Sequence, residues 1–195
     1  MELTKTDFDW DNMIKNLLAV FFVFTLFTGC QTTTKRLNLP ELQTVEKVDI
    51  VRYMGKWYEI ARLPAWFQKG CTGSTATYSL QPDSKVKVVN RCFKDRLNGE
   101  IKEAIGVAVV EDTTSNSKLK VSFFRPFWGE YWIIILDENY QYAVVGHPSR
   151  DYLWILNRES KMNIKIYEKL IAELESVGYE TNKLIKTTHP DISGE

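Results

Sequence analysis

The residues with the widest chemical range in this sequence are its three cysteines, Cys30, Cys71 and Cys92. A thiol can bind a metal ion, form a disulfide or carry a covalent modification. No two of them are spaced as CxxC, so the sequence does not support a zinc ribbon or a thioredoxin-type redox site. Cys30 stands alone at the end of an apolar run, whereas Cys71 and Cys92 lie near each other further along the chain.

Histidine-dependent acid–base or nucleophilic chemistry would have to use His147 or His189, since the sequence has two histidines. The sequence contains no GxSxG elbow, HExxH, P-loop or GxGxxG motif. A Ser–His–acid site assembled from separate strands stays open, and with it a lipid-modifying enzyme, but no motif supports either. His147 precedes Pro148 and is most simply a turn residue. We therefore predict a protein that is not an enzyme and has no resident metal or cofactor.

The apolar run before Cys30 has the length of a signal-peptide core. The run Leu17–Phe27 is far shorter than the roughly 20 residues that a membrane-spanning helix needs, but it fits the h-region of a signal peptide. The residues before Met13 are acidic, which is the wrong sign for an n-region, whereas a start at Met13 gives a short positive one. We expect residues 1–30 to be a signal peptide and translation to begin at Met13.

The segment Leu26-Phe27-Thr28-Gly29-Cys30 resembles the lipobox of bacterial lipoproteins. The resemblance implies cleavage before Cys30 and attachment of acyl chains to it, and two or more chains give a stable anchor. In that family Asp after the cysteine retains the protein at the inner membrane, so the resemblance together with Gln31 implies the outer membrane of a Gram-negative bacterium, with the protein facing the periplasm. The polar residues 31–45 would then be a tether. An ordinary secretory signal that ends at a buried cysteine is the open alternative.

From residue 46 the chain has the short apolar runs and turn residues that are typical of an all-β sandwich or barrel. Turn sequences such as Pro82-Asp83-Ser84 and Leu97-Asn98-Gly99 make most links short, as an up-and-down meander requires. Eight strands are predicted, at residues 56–63, 74–80, 85–93, 100–110, 117–124, 130–136, 140–146 and 151–157.

One amphipathic helix follows the strands. Apolar residues recur every three or four positions from Ile164 to Val177, and Gly178 ends the pattern. We expect this helix to pack outside the sheet, because it cannot bury its apolar face alone, and Leu184-Ile185 to add a short closing strand. Acidic and basic residues are equal in number, 25 each, so charge gives no argument for a nucleic-acid partner.

Three motifs stand at defined places in this strand pattern. Gly55-Lys56-Trp57 opens the first strand, the turn Asp137–Tyr140 joins strands six and seven, and Arg158 ends the last strand before the helix. The set resembles the three-motif pattern of the lipocalins, most closely the bacterial outer-membrane lipoprotein group whose relatives include apolipoprotein D. The resemblance implies an all-β fold over residues 46–190, an eight-stranded antiparallel up-and-down barrel with one C-terminal α-helix packed outside.

The motif residues have structural roles in this interpretation. Gly55 lets the chain turn into the barrel without a Cβ clash. Trp57 is large enough to plug the closed end, and Arg158 can place its guanidinium over the indole as a cation–π pair worth on the order of 0.5–2 kcal/mol. We therefore assign Gly55, Trp57, Asp137, Tyr140 and Arg158 to the structural motif rather than to ligand contacts.

Cys71 and Cys92 flank one predicted hairpin. A four-residue loop over residues 81–84 would leave them slightly out of register, near enough for a bridge. If lipid occupies Cys30, they are also an even pair in an oxidising compartment. We expect a disulfide between them, while two free thiols in the core and an intermolecular bridge stay open.

An eight-stranded barrel is just wide enough to be filled by side chains or to hold one small ligand. The fourth strand alternates small residues, Ala104, Gly106 and Ala108, with larger ones, and the small set would leave room if it faces inward. Strand alternation puts Ala61 on the face of Trp57. The resemblance adds Trp154 in the pocket and Trp128 near its mouth. The predicted ligand-binding residues are Trp154, Trp128, Tyr142, Ala61 and Ala104.

These features predict an outer-membrane lipoprotein that binds a fatty acid or lysophospholipid for storage or transport in envelope maintenance. Four basic residues could form a positive rim for the head group, although each is more simply a solvated charge; they are Arg91, Lys102, Lys120 and Arg125. A packed barrel that binds no ligand and serves as a structural envelope lipoprotein is the alternative. Residues 126–128 are unusually apolar for a solvated turn, so a homodimer that forms through this segment stays open.

Overall fold

The structure, a computed structural model, describes residues 39–190 of the 195-residue chain. Helix α1 covers Ile50–Tyr53 and helix α2 covers Ile164–Ser176, and short 3-10 turns lie at Trp66–Gln68 and Thr181–Lys183. The predicted signal peptide, the Met13 start and the lipidated Cys30 lie outside the described residues. Strands β1 to β9 comprise Gly55–Arg62, Cys71–Leu80, Val86–Lys94, Ile101–Val110, Lys118–Phe124, Phe127–Leu136, Tyr142–Gly146, Leu153–Asn157 and Ile185–Lys186.

Strands β1 to β8 form a closed antiparallel up-and-down barrel, which confirms the predicted fold class. Each strand from β2 to β8 pairs with its neighbour in the chain, and β1 pairs with both β8 and β2 to close the ring. The polar turn sequences supply residues that tolerate a positive φ, among them Ser84, Asn98 and Asn116.

The seam of the barrel between β1 and β2 is closed in two ways. Direct pairing with β2 involves Gly55–Tyr58. Beyond that point residues 185–189, here called the strap, lie between the two strands. The strap begins with β9, which pairs with the end of β1. Its backbone is also 2.9 Å from that of Ile60 on one side and 2.9 Å from that of Gly73 on the other.

The helix packs on the outside of the barrel, as predicted. Leu170 and Leu174 of α2 are buried against Val144 and Ile155, which point out of strands β7 and β8. The neighbouring residues on those strands point the other way and form part of an inner core. This inner core also contains Trp57, Val88, Ala108, Leu119 and Ile133.

The folded domain begins earlier than predicted. The Leu42 side chain is 3% exposed, and the Val45 amide donates to the carbonyl of Ile133 at 3.1 Å. Arg150 Nη2 donates to the Pro40 carbonyl at 2.5 Å. A tether that runs to residue 45 is therefore too long at its C-terminal end, because apolar side chains in this segment cover the barrel. Within residues 39–190, no helix is both long and apolar enough to cross a membrane.

The expected disulfide between Cys71 and Cys92 is confirmed, with a Cα separation of 5.4 Å. The hairpin register differs by one residue from the prediction, because Leu80 pairs with Val86. A register shift in β2, between Thr72 and Thr75, compensates for the difference at the far end of the hairpin.

Candidate functional site

A β-bulge in β1 sets which side chains enter the barrel. The pairing of β1 with β8 shifts register between Glu59 and the end of the strand. Glu59 lies opposite Leu156, and Arg62 lies opposite Trp154, and both β8 residues belong to the inner core. Because directly paired residues share a face, Glu59 and Arg62 both point into the barrel.

Glu59 and Arg62 form the centre of a buried polar cluster. Each is 4% exposed, and Arg62 Nε lies 3.4 Å from Glu59 Oε1. The carboxylate of Glu59 also accepts hydrogen bonds from Gln68 Nε2 at 2.8 Å and from Thr187 Oγ1 at 2.5 Å. Arg62 donates to the carbonyls of Leu63, at 3.5 Å, and Gln68, at 3.2 Å. The Nε proton of Arg62 has no well-oriented acceptor among the described residues.

The segment between β1 and β2, residues 63–70, lies across the open end and is here called the mouth loop. Lys102 Nζ of β4 donates to the Phe67 carbonyl at 3.4 Å, and Trp154 Nε1 of β8 donates to Gln68 Oε1 at 2.8 Å. Strands β4 and β8 are four places apart in the eight-stranded ring, so the loop contacts opposite walls. The Trp66 side chain is 82% exposed on top of it.

The inner wall on the β4 side is built from small residues. Ala108 belongs to the inner core, and unbroken alternation puts Gly106 and Ala104 on the same face. Phe123 occupies the space beside Gly106, where a Cβ atom would lie 2.7 Å from its ring. Ala104, nearer the mouth, is exposed. Ser74 Oγ and Asn90 Oδ1 are buried without a hydrogen-bond partner among the described residues.

Two residues predicted to line the cavity lie outside the barrel. Ala61, opposite Ile155, follows the bulge and packs in the cluster beneath α2. Tyr142 packs against the same cluster, because the inner face of β7 belongs to Ala143 and Val145. The expectation that Ala61 and Tyr142 face the inside of the barrel is therefore wrong.

Trp128 also lies on the outer side. It belongs to β6 rather than to a loop, and alternation from the inner-core residue Tyr131 points it outward with Glu130. Its ring is 42% exposed near the mouth and faces away from the inside of the barrel. Trp154, by contrast, packs against the inner core, and Ala104 is on the inner face.

The four predicted rim cations are dispersed. Arg91 forms an ion pair with Glu103 on the outer face. Lys120 also forms an ion pair, with its Nζ 2.6 Å from Glu111 Oε1. Arg125 lies in the turn between β5 and β6. Lys102 shares the inner face of β4 with Ala104 and Ala108, so it is the member of the set that lies on the inner side, at the mouth.

The closed end is sealed by the sequence-motif residues. Trp57 is fully buried, and its Nε1 donates to the Tyr53 carbonyl at 2.9 Å. The Arg158 guanidinium lies 3.8 Å from the centre of the Trp57 indole. Gly55 has a φ of 95°, and a Cβ atom there would be 3.3 Å from Arg158 Nη1.

The turn before β7 supports the same seal. Asp137 Oδ2 accepts hydrogen bonds from the Asn139 and Gln141 amides, at 3.1 and 3.2 Å, which shapes the turn. Tyr140 has a φ of 59°, and its hydroxyl accepts a hydrogen bond from the Asp49 amide at 2.8 Å.

A tyrosine cluster above this seal was not predicted from the sequence. The hydroxyl of Tyr131 is 2.8 Å from that of Tyr53 and 2.9 Å from that of Tyr78. Burial raises the pKa of Tyr78 to about 12 and holds the pKa of the other two phenols well above the usual value. The rings line a residual cavity of about 10 Å³. The available sequence signal was spacing: Tyr131 is two residues from Ile133 and Tyr78 is two residues from Ala76, so each ring shares a strand face with a small or apolar residue.

Comparison with known proteins identifies the family of this chain. A family model described as a lipocalin-like domain matches residues 48–189. The outer membrane lipoprotein Blc of Vibrio cholerae is 39% identical over 171 residues, 86% of this chain and 96% of the relative. Temperature-induced lipocalin-1 of Arabidopsis thaliana is 38% identical over 164 residues, 80% of this chain and 87% of the relative.

The fold is also that of a solved structure of low sequence similarity. Insecticyanin from the tobacco hornworm Manduca sexta has a TM-score of 0.62 and 21% identity, with 78% of this chain and 87% of that chain covered. Family match, sequence relatives and barrel architecture agree, and the chain therefore belongs to the lipocalin family.

Proposed function

We propose that this lipocalin binds one fatty acid or lysophospholipid in its barrel, for storage or transport in maintenance of the cell envelope. The observation that carries the proposal is the inner wall, which runs from the sealed floor at Trp57 to small residues, Ala104 and Gly106, toward the mouth. A loop, rather than a packed core, lies across that mouth. A barrel interior that is apolar, with a few polar groups, suits a single acyl chain.

We also propose that the protein is anchored to the outer membrane by lipid on Cys30 and faces the periplasm. The name of the Vibrio cholerae relative, an outer membrane lipoprotein, supports this placement. Metabolic labelling with radioactive palmitate, followed by membrane fractionation, tests it. The wild-type chain should carry label in the outer-membrane fraction, whereas Cys30→Ala should be unlabelled. Label that persists in Cys30→Ala would contradict the anchor.

Ligand binding is tested by native mass spectrometry. Protein stripped of bound lipid is exposed to palmitate or to palmitoyl-lysophosphatidylethanolamine, and one bound acyl chain per protein is expected. Trp154→Ala should weaken binding roughly tenfold, because the ring contributes to the inner wall. Trp128→Ala is the matched control and should leave binding unchanged, since its ring points outward. The absence of any bound acyl species and of any tryptophan fluorescence response would refute the proposal.

A structural envelope lipoprotein without ligand is the second candidate. The dense floor favours it, since the tyrosine cluster and its neighbours leave about 10 Å³ at the closed end. Such a protein would bind neither lipid in the same experiment, yet its loss would weaken the envelope.

A homodimer is a separate proposal. It is supported by Phe124 and Phe127, which stack at the hairpin with exposures of 74% and 70%. Analytical ultracentrifugation with and without lipid tests it, and a monomer at all concentrations would contradict it.

A further inference from the structure

We infer that Arg62 binds the anionic head group of the ligand inside the barrel, directly beneath the mouth loop. This inference rests on the proposed function and adds to it the chemistry of the ligand's polar end. It assigns to the ligand a carboxylate or phosphate oxygen at one end of an acyl chain, with the chain directed toward the small residues of β4.

The bulge in β1 is what places this cation inside. With regular alternation from Trp57 and Glu59, Ala61 would face inward and Arg62 would face outward. The register shift reverses this order and aligns Arg62 with Trp154 on the inner wall. Bulges commonly re-aim a side chain beside a functional site.

A buried guanidinium on such a wall is expensive unless its donors are satisfied. Arg62 is 4% exposed, yet its contacts are incomplete. Its hydrogen bonds to the Leu63 and Gln68 carbonyls are 3.5 and 3.2 Å long, at or beyond the upper end of the usual range for N–H···O bonds. Its Nε proton lacks a well-oriented acceptor among the described residues. One ligand oxygen would supply it.

Glu59 does not remove the need for that oxygen. Both of its carboxylate oxygens already accept hydrogen bonds from neutral donors, Gln68 and Thr187. Its contact with Arg62 Nε is 3.4 Å long and lacks hydrogen-bond geometry. The carboxylate thus holds the guanidinium in position while leaving the Nε donor available.

The charges under the mouth loop favour an anion. Arg62 and Lys102 lie on the inner face, and Lys102 Nζ donates to the mouth-loop carbonyl of Phe67. Glu59 balances one of these two cations. The remaining positive charge, that of Lys102, is exposed at the mouth and adds an attraction for an anionic head group that binds at Arg62.

The test compares an acid with its uncharged ester. The probes are cis-parinaric acid, a fluorescent fatty acid, and its methyl ester, titrated into the full-length protein stripped of lipid. For Arg62→Gln the dissociation constant of the acid should rise at least tenfold, while that of the ester should change less than twofold. Arg91→Gln is the matched control, because Arg91 also pairs with a glutamate but lies on the outer face.

A second variant guards against a folding defect. Arg62→Gln leaves the buried Glu59 without its cation, so Glu59→Gln/Arg62→Gln is measured in parallel, with folding checked by circular dichroism. The double variant should show the same selective loss of acid binding. Equal losses for acid and ester, or no loss for either, would overturn the role of Arg62 while lipid binding itself stands. Wild-type protein that binds neither probe would overturn both this inference and the proposed function.

Competition identifies the source of the oxyanion. Palmitate and palmitoyl-lysophosphatidylethanolamine are each used to displace the methyl ester, whose own binding is expected to be insensitive to the variant. The competitor whose displacement weakens at least tenfold in Arg62→Gln is the one whose head group binds there. If neither competitor is affected, the inference is wrong.

Discussion

The guanidinium of Arg158 stacks on the indole of Trp57 and donates hydrogen bonds to four backbone carbonyls at the same time. The ring centre is 3.8 Å away, and the acceptors are the carbonyls of Lys56, Arg52, Tyr53 and Tyr140, at 2.8 to 3.3 Å. One side chain thereby joins α1, the start of β1 and the turn before β7. We therefore expect the closed end of the barrel to depend strongly on this residue.

Arg158→Met should therefore destabilise the fold strongly. The change removes a cation–π contact and the guanidinium that donates to four backbone carbonyls. We expect a loss of about 3 kcal/mol in the free energy of unfolding. Urea denaturation followed by tryptophan fluorescence measures it. Arg91→Met, which removes an exposed ion pair, should cost less than about 1 kcal/mol. Similar midpoints for the two variants would contradict the assigned role of Arg158.

The tyrosine cluster should make the fold sensitive to alkaline pH. Burial raises the pKa of Tyr78 to about 12, whereas an unfolded phenol ionises near pH 10. The folded state retains a proton that the unfolded state loses, so this stabilisation is complete below about pH 10 and declines as the pH rises toward about 12. From Tyr78 alone we expect a loss of about 1.4 kcal/mol by about pH 11.

Urea unfolding of wild type and Tyr78→Phe between about pH 9 and pH 11 checks this expectation. At neutral pH the variant should be less stable by about 1 kcal/mol, since it lacks the hydrogen bond to Tyr131. The difference should shrink as the pH rises, because the variant has lost one group that ionises on unfolding. A difference that stays constant over this interval would show that Tyr78 titrates normally.

The disulfide should stabilise the domain by restricting the unfolded chain. Cys71 and Cys92 are separated by 21 residues, for which loop-closure entropy gives about 3 kcal/mol. Cys71→Ala/Cys92→Ala should be less stable by about that amount in urea denaturation. Reduced wild-type protein should behave like the variant. If the reductant leaves the wild-type midpoint unchanged, the bridge contributes little.

The mouth loop should control the rate of ligand exchange. Gln68 joins the loop to Glu59 and Trp154 through its side chain, at 2.8 Å in each case. Gln68→Ala removes both hydrogen bonds, at about 1 kcal/mol each, and should accelerate dissociation of a bound fluorescent fatty acid roughly tenfold. Stopped-flow displacement measures the rate. Gln81→Ala, whose side chain bonds to nearby backbone at the closed end, should not alter it.

The strands and the helix were predictable because their signals are local. Alternating apolar residues and polar turns mark the strands, and the recurrence from Ile164 to Val177 marks the helix, which begins and ends within a residue or two of its expected bounds. Closure into a barrel followed from the resemblance of the Gly55, Asp137 and Arg158 motifs to a known family.

The faces of single residues were less predictable. Ala61 was assigned to the cavity by counting alternate residues, but an extra residue in β1, accommodated against β8, reverses the count after Glu59. No local signal marks that position, because the bulge depends on the partner strand. Tyr142 was misplaced for a different reason: large rings occur both in barrels and under helices. The Arg62 cluster was missed because a charged strand residue ordinarily faces solvent.

The strap gives the folding reaction a long-range requirement. Thr187 reaches Glu59 across 128 positions of sequence, and its neighbours in the strap complete a wall that includes β1, near the start of the described residues. Until those distant residues arrive, part of one edge of β1 carries unpaired amides and carbonyls, which invite pairing with other chains. The need to bring this distant segment into place should slow folding of the barrel. Newly made molecules should need protection from aggregation during that interval.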